Sequence, residues 1–317
     1  FLIVGSDSRQ FVDNQAEADA FGSPTVETGQ RSDTIMVLHV DPAAKSSLLV
    51  SFPRDLLVNI PGQGRQKING AFNDGPQKVI DTLNANFDLP ISHYVEVNFK
   101  AFEGIVDAVG KIPVFFPSPA RDEFSGLVIS APGCIALDGQ NALHYVRSRH
   151  LEYLDTKTGR WQDASPRADL DRITRQQNFI RRLASLASVK SGSNPLAAFD
   201  IADAIVPKLK VDTELSKGDI FRLVKTFRKV NPDDDNALRM ETLPVVEGPG
   251  GSVVAKQPEA AQVVAALLTF GPQDDGSPIK SKPSQVRIRV LNASGVGGAA
   301  GTASTALEGF HFVPAGT

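Results

Sequence analysis

Apolar positions recur along the chain with two different periods, and the switching between them sets the expected elements. Residues 34–40 (TIMVLHV) and 47–52 (SLLVSF) are short, apolar, β-branched-rich runs on either side of an Asp-Pro turn signal, and they read as strands. Residues 69–88 space Val79, Ile80, Leu83 and Phe87 as one stripe of a helix. Residues 93–99 (HYVEVNF) alternate like a half-buried strand. The next stretch, 100–109, turns Phe102, Ile105, Val106 and Val109 to one helical face before Gly110, a helix-ending residue. A short strand at 112–116 leads into a Pro-, Gly- and Ser-rich stretch at 117–133. Residues 138–145 read as a short helix and 169–189 as a long amphipathic one. Beyond them, helices at 215–230 and 258–270 bracket a strand at 240–245. Strands alternating with helices predict an α/β sandwich and argue against all-α and all-β folds.

Both ends of the chain add to this. Residues 271–285 (GPQDDGSPIKSKPSQ) combine turn formers and charge without apolar periodicity, so they read as a linker between a main domain at 1–270 and a small C-terminal piece at 286–317. That piece reads as a strand at 286–291, a small-residue helix at 296–307 and a strand at 310–313. Some 32 residues bury too little for an independent core, so 286–317 is expected to be the start of a truncated small α/β domain. At the other end, residues 1–4 form an apolar run followed at once by Gly5-Ser6-Asp7-Ser8-Arg9. A chain opening on a core strand is expected to continue from a preceding segment that targets or anchors it.

Composition mainly excludes. With 33 Lys+Arg against 36 Asp+Glu in 317 residues, the formal net charge is -3, which argues against a nucleic-acid footprint spread over the whole chain. The hydrophobic fraction of 41% excludes a disordered chain, and a single Cys excludes a disulfide framework and a thiolate zinc site. No run approaches the roughly 20 apolar residues of a membrane-spanning helix.

The candidate chemistry lies in polar clusters beside the strands. Asp7-Ser8-Arg9 follows the first strand, and Arg31-Ser32-Asp33 precedes the second. Taken singly, such carboxylates could cap helices or pair with nearby arginines. Taken together, they are the kind of pair that holds Mg²⁺ with phosphate oxygens and water. Arg54-Asp55 follows the third strand, where open α/β sheets bind ligands. In Tyr145-Val146-Arg147-Ser148-Arg149 the two guanidinium groups share a face only if the segment is extended. On the helix beginning near Asp169, Arg172, Arg175 and Gln176 fall at helical spacing on one polar face. Residues 147–182 carry nine Lys/Arg against five Asp/Glu, an anion-site signal in a chain of net negative charge. Forked guanidinium groups suit phosphate, and several together suit a pyrophosphate. There is no Walker loop and no Gly-x-Ser-x-Gly elbow. Metal plus arginines is nonetheless a sufficient kit for phosphoryl transfer.

In order, FLIVGSDSR, RSDTIMVLHVDP, VSFPRDLLVNIPG, KINGAF, HYVEVNFKAFEGIVDAVGKIPV, LDGQNALHYVRSR and DLDRITRQQ resemble the LytR-CpsA-Psr family. VRIRVLNASGVGGAA resembles the start of the small C-terminal domain that many actinobacterial members carry. The resemblance implies a three-layer α/β/α sandwich around a mixed β-sheet, anchored in the cell membrane and acting on its extracytoplasmic face. It implies a phosphotransferase that moves a glycopolymer from a polyprenyl-pyrophosphate carrier onto a peptidoglycan hydroxyl. Carried over by motif, Asp7 and Asp33 are the Mg²⁺ (or Mn²⁺) carboxylates. Arg31, Arg54, Arg147, Arg149 and Arg172 form the pyrophosphate clamp with Gln176 in support, so that Asp33 and Arg31 also belong to the catalytic set. Asp169 is the candidate base, with Asp171 left as its rival. The apolar strands and the helices at 76–88 and 100–109 are expected to enclose the isoprenoid chain. The PARDEFSG and PGC segments are in the actinobacterial style, which implies arabinogalactan or a related glycan as cargo. Actinobacterial relatives often pair two cysteines here. Phe115 takes the first position, so Cys134 is expected to be unpaired and buried as a small hydrophobe. Two alternatives share the same residues: a pyrophosphatase using water as acceptor, and a non-catalytic polyprenyl-phosphate binding protein.

Overall fold

The computed structural model describes residues 1–6, 32–193, 202–227, 231–234, 237–269, 287–290, 297–309 and 312–314. The chain divides into two compact units, Phe1–Gly271 and Pro272–Thr317.

The first unit opens with β1 (Leu2–Ser6), β2 (Ser32–Asp41) and β3 (Ser46–Phe52), followed by the hairpin of β4 (Leu57–Ile60) and β5 (Gly64–Lys67). A 3₁₀ turn at Ile68–Asp74 precedes α1 (Pro76–Phe87). The segment 69–88 is therefore divided between two elements, with the stripe of Val79, Ile80, Leu83 and Phe87 wholly on α1. Gly75 sits at φ 89°, and Pro76, which has no amide proton to give, starts the new helix. β6 (Tyr94–Val97) ends at Asn98, whose side chain accepts from the Ala101 amide and caps α2 (Phe99–Val109). β7 (Ile112–Phe116) pairs antiparallel with β10 (Gly133–Leu137). Between them the Pro/Gly/Ser-rich stretch forms a small hairpin of β8 (Ala120–Asp122) and β9 (Leu127–Ile129). After α3 (Gly139–Arg147), β11 (Glu152–Asp155) and β12 (Arg160–Asp163) extend this hairpin into a four-stranded sheet ordered β12-β11-β8-β9. The long helix α4 (Asp169–Ser193) follows, then β13 (Lys210–Val211), α5 (Lys217–Phe227), β14 (Leu238–Thr242), the β15 (Val245–Glu247) and β16 (Val253–Ala255) pair, and α6 (Glu259–Thr269).

The central sheet runs β13-β6-β1-β2-β3-β14 and is mixed. β1 is parallel to β6 and β14 to β3, whereas β1–β2, β2–β3 and β6–β13 are antiparallel. Every residue of β3 is buried, as expected of a strand covered on both faces. One face carries Leu2, Val4, Ile35, Val37, Val50 and Phe52 into a core with α1 and α6. The other is spanned by α4: Gln177 donates to Ser51 Oγ at 3.0 Å and Gln176 to Thr34 Oγ1 at 3.1 Å, both on positions that alternate with the core residues. The result is a three-layer α/β/α sandwich.

A second apolar cluster joins α2, α3, α4 and the β7–β10 pair through Val106, Ile112, Phe116, Val146 and Phe179. The helices α1 and α2 pack into separate clusters, α1 in the first and α2 in the second. Cys134 is exposed, not buried: it lies opposite Phe115, and both occupy outward positions of alternating strands. Among the described residues no helix is long and apolar enough to cross a membrane. The second unit contains a parallel pair, β17 (Arg287–Ile288) with β18 (Val313–Pro314), and the helix α7 (Ala299–Glu308); the expected linker at 271–285 lies outside the described residues.

Candidate active site

The strand register sets the position of the site. β1 and β3 run the same way, and both run against β2, so the end of β1, the start of β2 and the end of β3 meet at one edge of the sheet. Asp33 is the second residue of β2, and Arg54 lies two residues beyond the end of β3. Arg54 Nη1 donates to Asp33 Oδ1 at 2.5 Å, and its Nε is 3.4 Å from Asp55 and 3.6 Å from Asp169. Lys67 holds the far side of Asp55 at 2.9 Å.

The first turn of α4 reaches the same edge. Arg172, only 2% exposed, donates to the Asp33 carbonyl at 2.6 Å, and its Nη2 lies 2.8 Å from Asp169 Oδ1. Gln176, one turn on, donates to Val146 O and Thr34 Oγ1, both at 3.1 Å, so it braces the segment before Arg147. Asp171 points elsewhere: it accepts the Arg167 amide at 2.9 Å and the Arg167 guanidinium at 2.6 Å. Asp169 therefore joins Asp33, Arg54 and Arg172, and Asp171 does not.

Environment drives these two carboxyls apart. Burial opposes ionisation of Asp33, but Arg172 and Arg54 outweigh it and hold the group below the usual carboxylate range. At Asp169 burial prevails over the pull of Arg172 and Arg54, with Asp55 adding to it, and the pKa rises. Despite its ion-pair contact, neither buried oxygen of Asp169 receives an aligned hydrogen bond. A carboxylate that is buried, under-satisfied and poised above its ordinary pKa is equipped to take a proton.

Arg147 closes α3, and Ser148 leaves the helix in an extended conformation (φ -59°, ψ 131°). The chain is thus helical at Arg147 and extended after it, and both arginines still line one pocket of about 60 Å³ with Asp33 and Phe124. Arg147 stacks over the Phe99 ring at 4.3 Å. The device that places this segment is Asp122, in the PARDEFSG segment, to which neither motif nor spacing assigns a role. Only 1% exposed, it accepts from Ser148 Oγ at 2.6 Å, from the Arg149 and His150 amides at 3.0 and 2.9 Å, and from the Phe124 and Ser125 amides at 2.9 and 3.1 Å. Its bonds to Phe124 and Ser125 form a local turn that the sequence could have signalled; its hold on residues 148–150 is long-range and could not be. Arg175 also belongs to this scaffold: its guanidinium binds the Ser148 carbonyl and, at 2.8 Å, Ser165 Oγ.

Asp7 and Arg31 lie outside the described residues. Among the described residues no three His, Cys, Asp or Glu side chains gather as a metal site. Asp33 fits a divalent ion to this extent: its side chain is 39% exposed, and Oδ2 stands 3.7 Å from Arg172, beyond hydrogen-bond distance. One hard oxygen donor beside arginines is what remains for the protein to supply when phosphate and water complete the shell.

The profile of the LytR_cpsA_psr family matches residues 1–267. The chain belongs to the LytR-CpsA-Psr family. Relatives within it include a probable cell wall biosynthesis protein, LcpB, from Corynebacterium glutamicum, 38% identical over 59% of this chain and 42% of its own length. The polyisoprenyl-teichoic acid–peptidoglycan teichoic acid transferase TagU of Oceanobacillus iheyensis is 32% identical over 59% of this chain and 55% of its own. Cell wall biosynthesis protein LcpA of C. glutamicum is 27% identical over 97% and 64%. The chain thus spans between about two fifths and two thirds of the length of these curated relatives. Among solved structures, a LytR-Csp2A-Psr enzyme from Actinomyces oris superposes with a TM-score of 0.68 at 25% identity, over 84% of this chain and 88% of that one. B. subtilis TagV shares the LytR-CpsA-Psr fold with a TM-score of 0.63 at 21% identity, over 84% and 95%.

Proposed function

We propose that this protein is a phosphotransferase of cell-wall assembly, which moves a glycopolymer from a polyprenyl-pyrophosphate carrier to a peptidoglycan hydroxyl. The observation that carries the reading is the pair of carboxyls driven apart in pKa, Asp33 and Asp169, bridged by the buried Arg172 and by Arg54 beside an arginine-lined pocket. The named teichoic acid transferases among its relatives support the reaction class. Attachment to the membrane through a preceding segment, with the site on the outer face, belongs to the same proposal.

The acceptor oxygen attacks the phosphorus that bears the glycan, and its proton passes to Asp169. A new phosphodiester forms, the bridging P–O bond breaks, and polyprenyl phosphate departs with the bridging oxygen. Arg54 and Arg172 face the charge that builds on the phosphoryl oxygens, and Arg147 and Arg149 hold the rest of the pyrophosphate from the pocket. Burial keeps this clamp out of bulk water, where its attraction would be screened. Asp33, with Asp7, would hold Mg²⁺ or Mn²⁺, which supplies charge neutralisation at the pyrophosphate.

Incubating the protein with a polyprenyl-pyrophosphate-linked saccharide and soluble peptidoglycan strands tests the proposal. Transfer predicts a saccharide–peptidoglycan phosphodiester and one polyprenyl phosphate per turnover. Polyprenyl phosphate released without the phosphodiester would make water the acceptor, and no turnover at all would leave a binding protein.

A further inference from the structure

Beside the arginine pocket lies a second and larger hollow, of about 280 Å³, and the two share Phe124 and His150 in their walls. It is built on the four-stranded sheet, and its balance of charge differs. One guanidinium, Arg121, faces three carboxylates, Glu123, Glu152 and Asp163. Arg121 is already committed: its Nε donates to Glu152 at 2.8 Å, its Nη1 is 3.2 Å from Glu123, and its plane lies 4.4 Å over the Trp161 ring. The hollow therefore has an excess of carboxylates, whereas its neighbour sets Arg147 and Arg149 against Asp33 and Asp122. At the boundary Phe124 is 83% exposed and rests against the His150 ring at 4.7 Å. An aromatic so placed costs apolar hydration in the free protein and offers a face to a ligand.

We propose that this hollow binds the acceptor, as a neutral, N-acetylated amino-sugar strand whose reactive hydroxyl reaches into the arginine pocket; this rests on the transferase reading above. Three features select that ligand. The carboxylates repel an anionic chain, so the pyrophosphate and any phosphate-bearing polymer are driven to the arginine side. A sugar ring offers an apolar C–H face to Phe124. Its hydroxyl and amide groups find acceptors in Glu123, Glu152 and Asp163 and a ring nitrogen in His150. The shared wall brings the two ligands side by side, which a transfer between them needs.

The single tryptophan of the chain makes the test direct, because Trp161 stacks on Arg121 in the wall. A charge-free N-acetylglucosamine tetrasaccharide is titrated into the protein, followed by Trp161 fluorescence and by calorimetry, and compared with Phe124→Ala and Glu123→Gln. Both side chains are largely exposed, so both variants are expected to fold, and circular dichroism checks it. The expected result is saturable binding, weakened about tenfold by Phe124→Ala, the size of one stacked ring contact. In turnover, the KM for peptidoglycan strands should rise several-fold more than the KM for the donor. Equal tetrasaccharide affinity in all three proteins, or Phe124-dependent binding of an anionic glycan in preference to the neutral one, overturns the proposal. Phe124-dependent saccharide binding in a protein that makes no phosphodiester would sink the transferase reading and leave the saccharide site standing.

Discussion

Asp169 and Arg172 stand one turn apart on α4, with Asp169 Oδ1 2.8 Å from Arg172 Nη2, and Arg172 also donates to the Asp33 carbonyl. One nearly inaccessible guanidinium thus ties the candidate base to the start of β2. Replacing it with Lys keeps the charge and loses the fork. Arg172→Lys should bind inorganic pyrophosphate about tenfold more weakly and lower stability by about 2–3 kcal/mol, since Asp33 and Asp169 lose a partner held out of water. Calorimetric titration and urea unfolding measure the two effects; unchanged affinity would remove Arg172 from the clamp.

The raised Asp169 pKa gives a signed expectation. A base must be ionised, so kcat/KM should climb with pH through an acid limb lying above the ordinary 3.8. Asp169→Asn should lose at least about a hundredfold in turnover at every pH. In stability the sign is reversed: the folded group keeps its proton to higher pH than the unfolded one. Stability is therefore lost as pH rises through the window above 3.8, and the Asn variant should lack that loss in denaturant titrations.

Asp33 titrates in the other sense. Its folded pKa lies below 3.8, so its contribution is present above that value and is lost as pH falls through the lower, folded one. Asp33→Asn should flatten this acid limb of stability. Chelation with EDTA should abolish turnover and leave the circular dichroism spectrum unchanged, and Mg²⁺ should restore activity; full turnover in EDTA would end the metal role.

Asp122→Asn should be among the most destabilising single changes near the site. The carboxylate accepts five hydrogen bonds at 1% exposure, and an amide can replace only part of them. A loss of about 3 kcal/mol is expected, together with a several-fold rise in donor KM as Arg149 loses its backbone anchor. Urea unfolding and initial rates separate the two; a variant of wild-type stability would contradict the anchoring role.

Ala168, directly before α4, lies at φ 40°, in the left-handed region that costs a Cβ-bearing residue. Ala168→Gly should stabilise the protein by up to about 1 kcal/mol in thermal unfolding, or leave it unchanged where the looser unfolded chain offsets the relief. A clear loss of stability would show that the residue is not strained.

The layers and most elements were legible because apolar periodicity reports burial, and the sheet of this sandwich is buried on both faces. β3 is the plain case, a seven-residue run buried throughout. The break at Gly75-Pro76 was legible in its residue types, and the stripe of Val79, Ile80, Leu83 and Phe87 begins only after it. The β8–β9 and β11–β12 hairpins escaped because strands of three or four residues leave almost no period to detect. At the site, charge density along 147–182 pointed to the arginines, yet it could not say which of them bind backbone. Arg175 serves Ser148, and only the packed structure separates it from Arg172. The choice between Asp169 and Asp171 was likewise decided by Arg167, a neighbour that claims one and not the other.

The seating of α4 has a consequence for how such a protein can diversify. Asp169, Arg172 and Gln176 ride on successive turns of one helix fastened to β2, so a shift of that helix misplaces base, clamp and brace together. The β12-β11-β8-β9 sheet bears Phe124 and the acidic hollow on two short hairpins joined through β8 and β11. Substitutions at its exposed side chains, away from Asp122, could retune which strand is accepted with the phosphate chemistry left in place, so the helix carries the reaction and the rim of the peripheral sheet is free to change its customer.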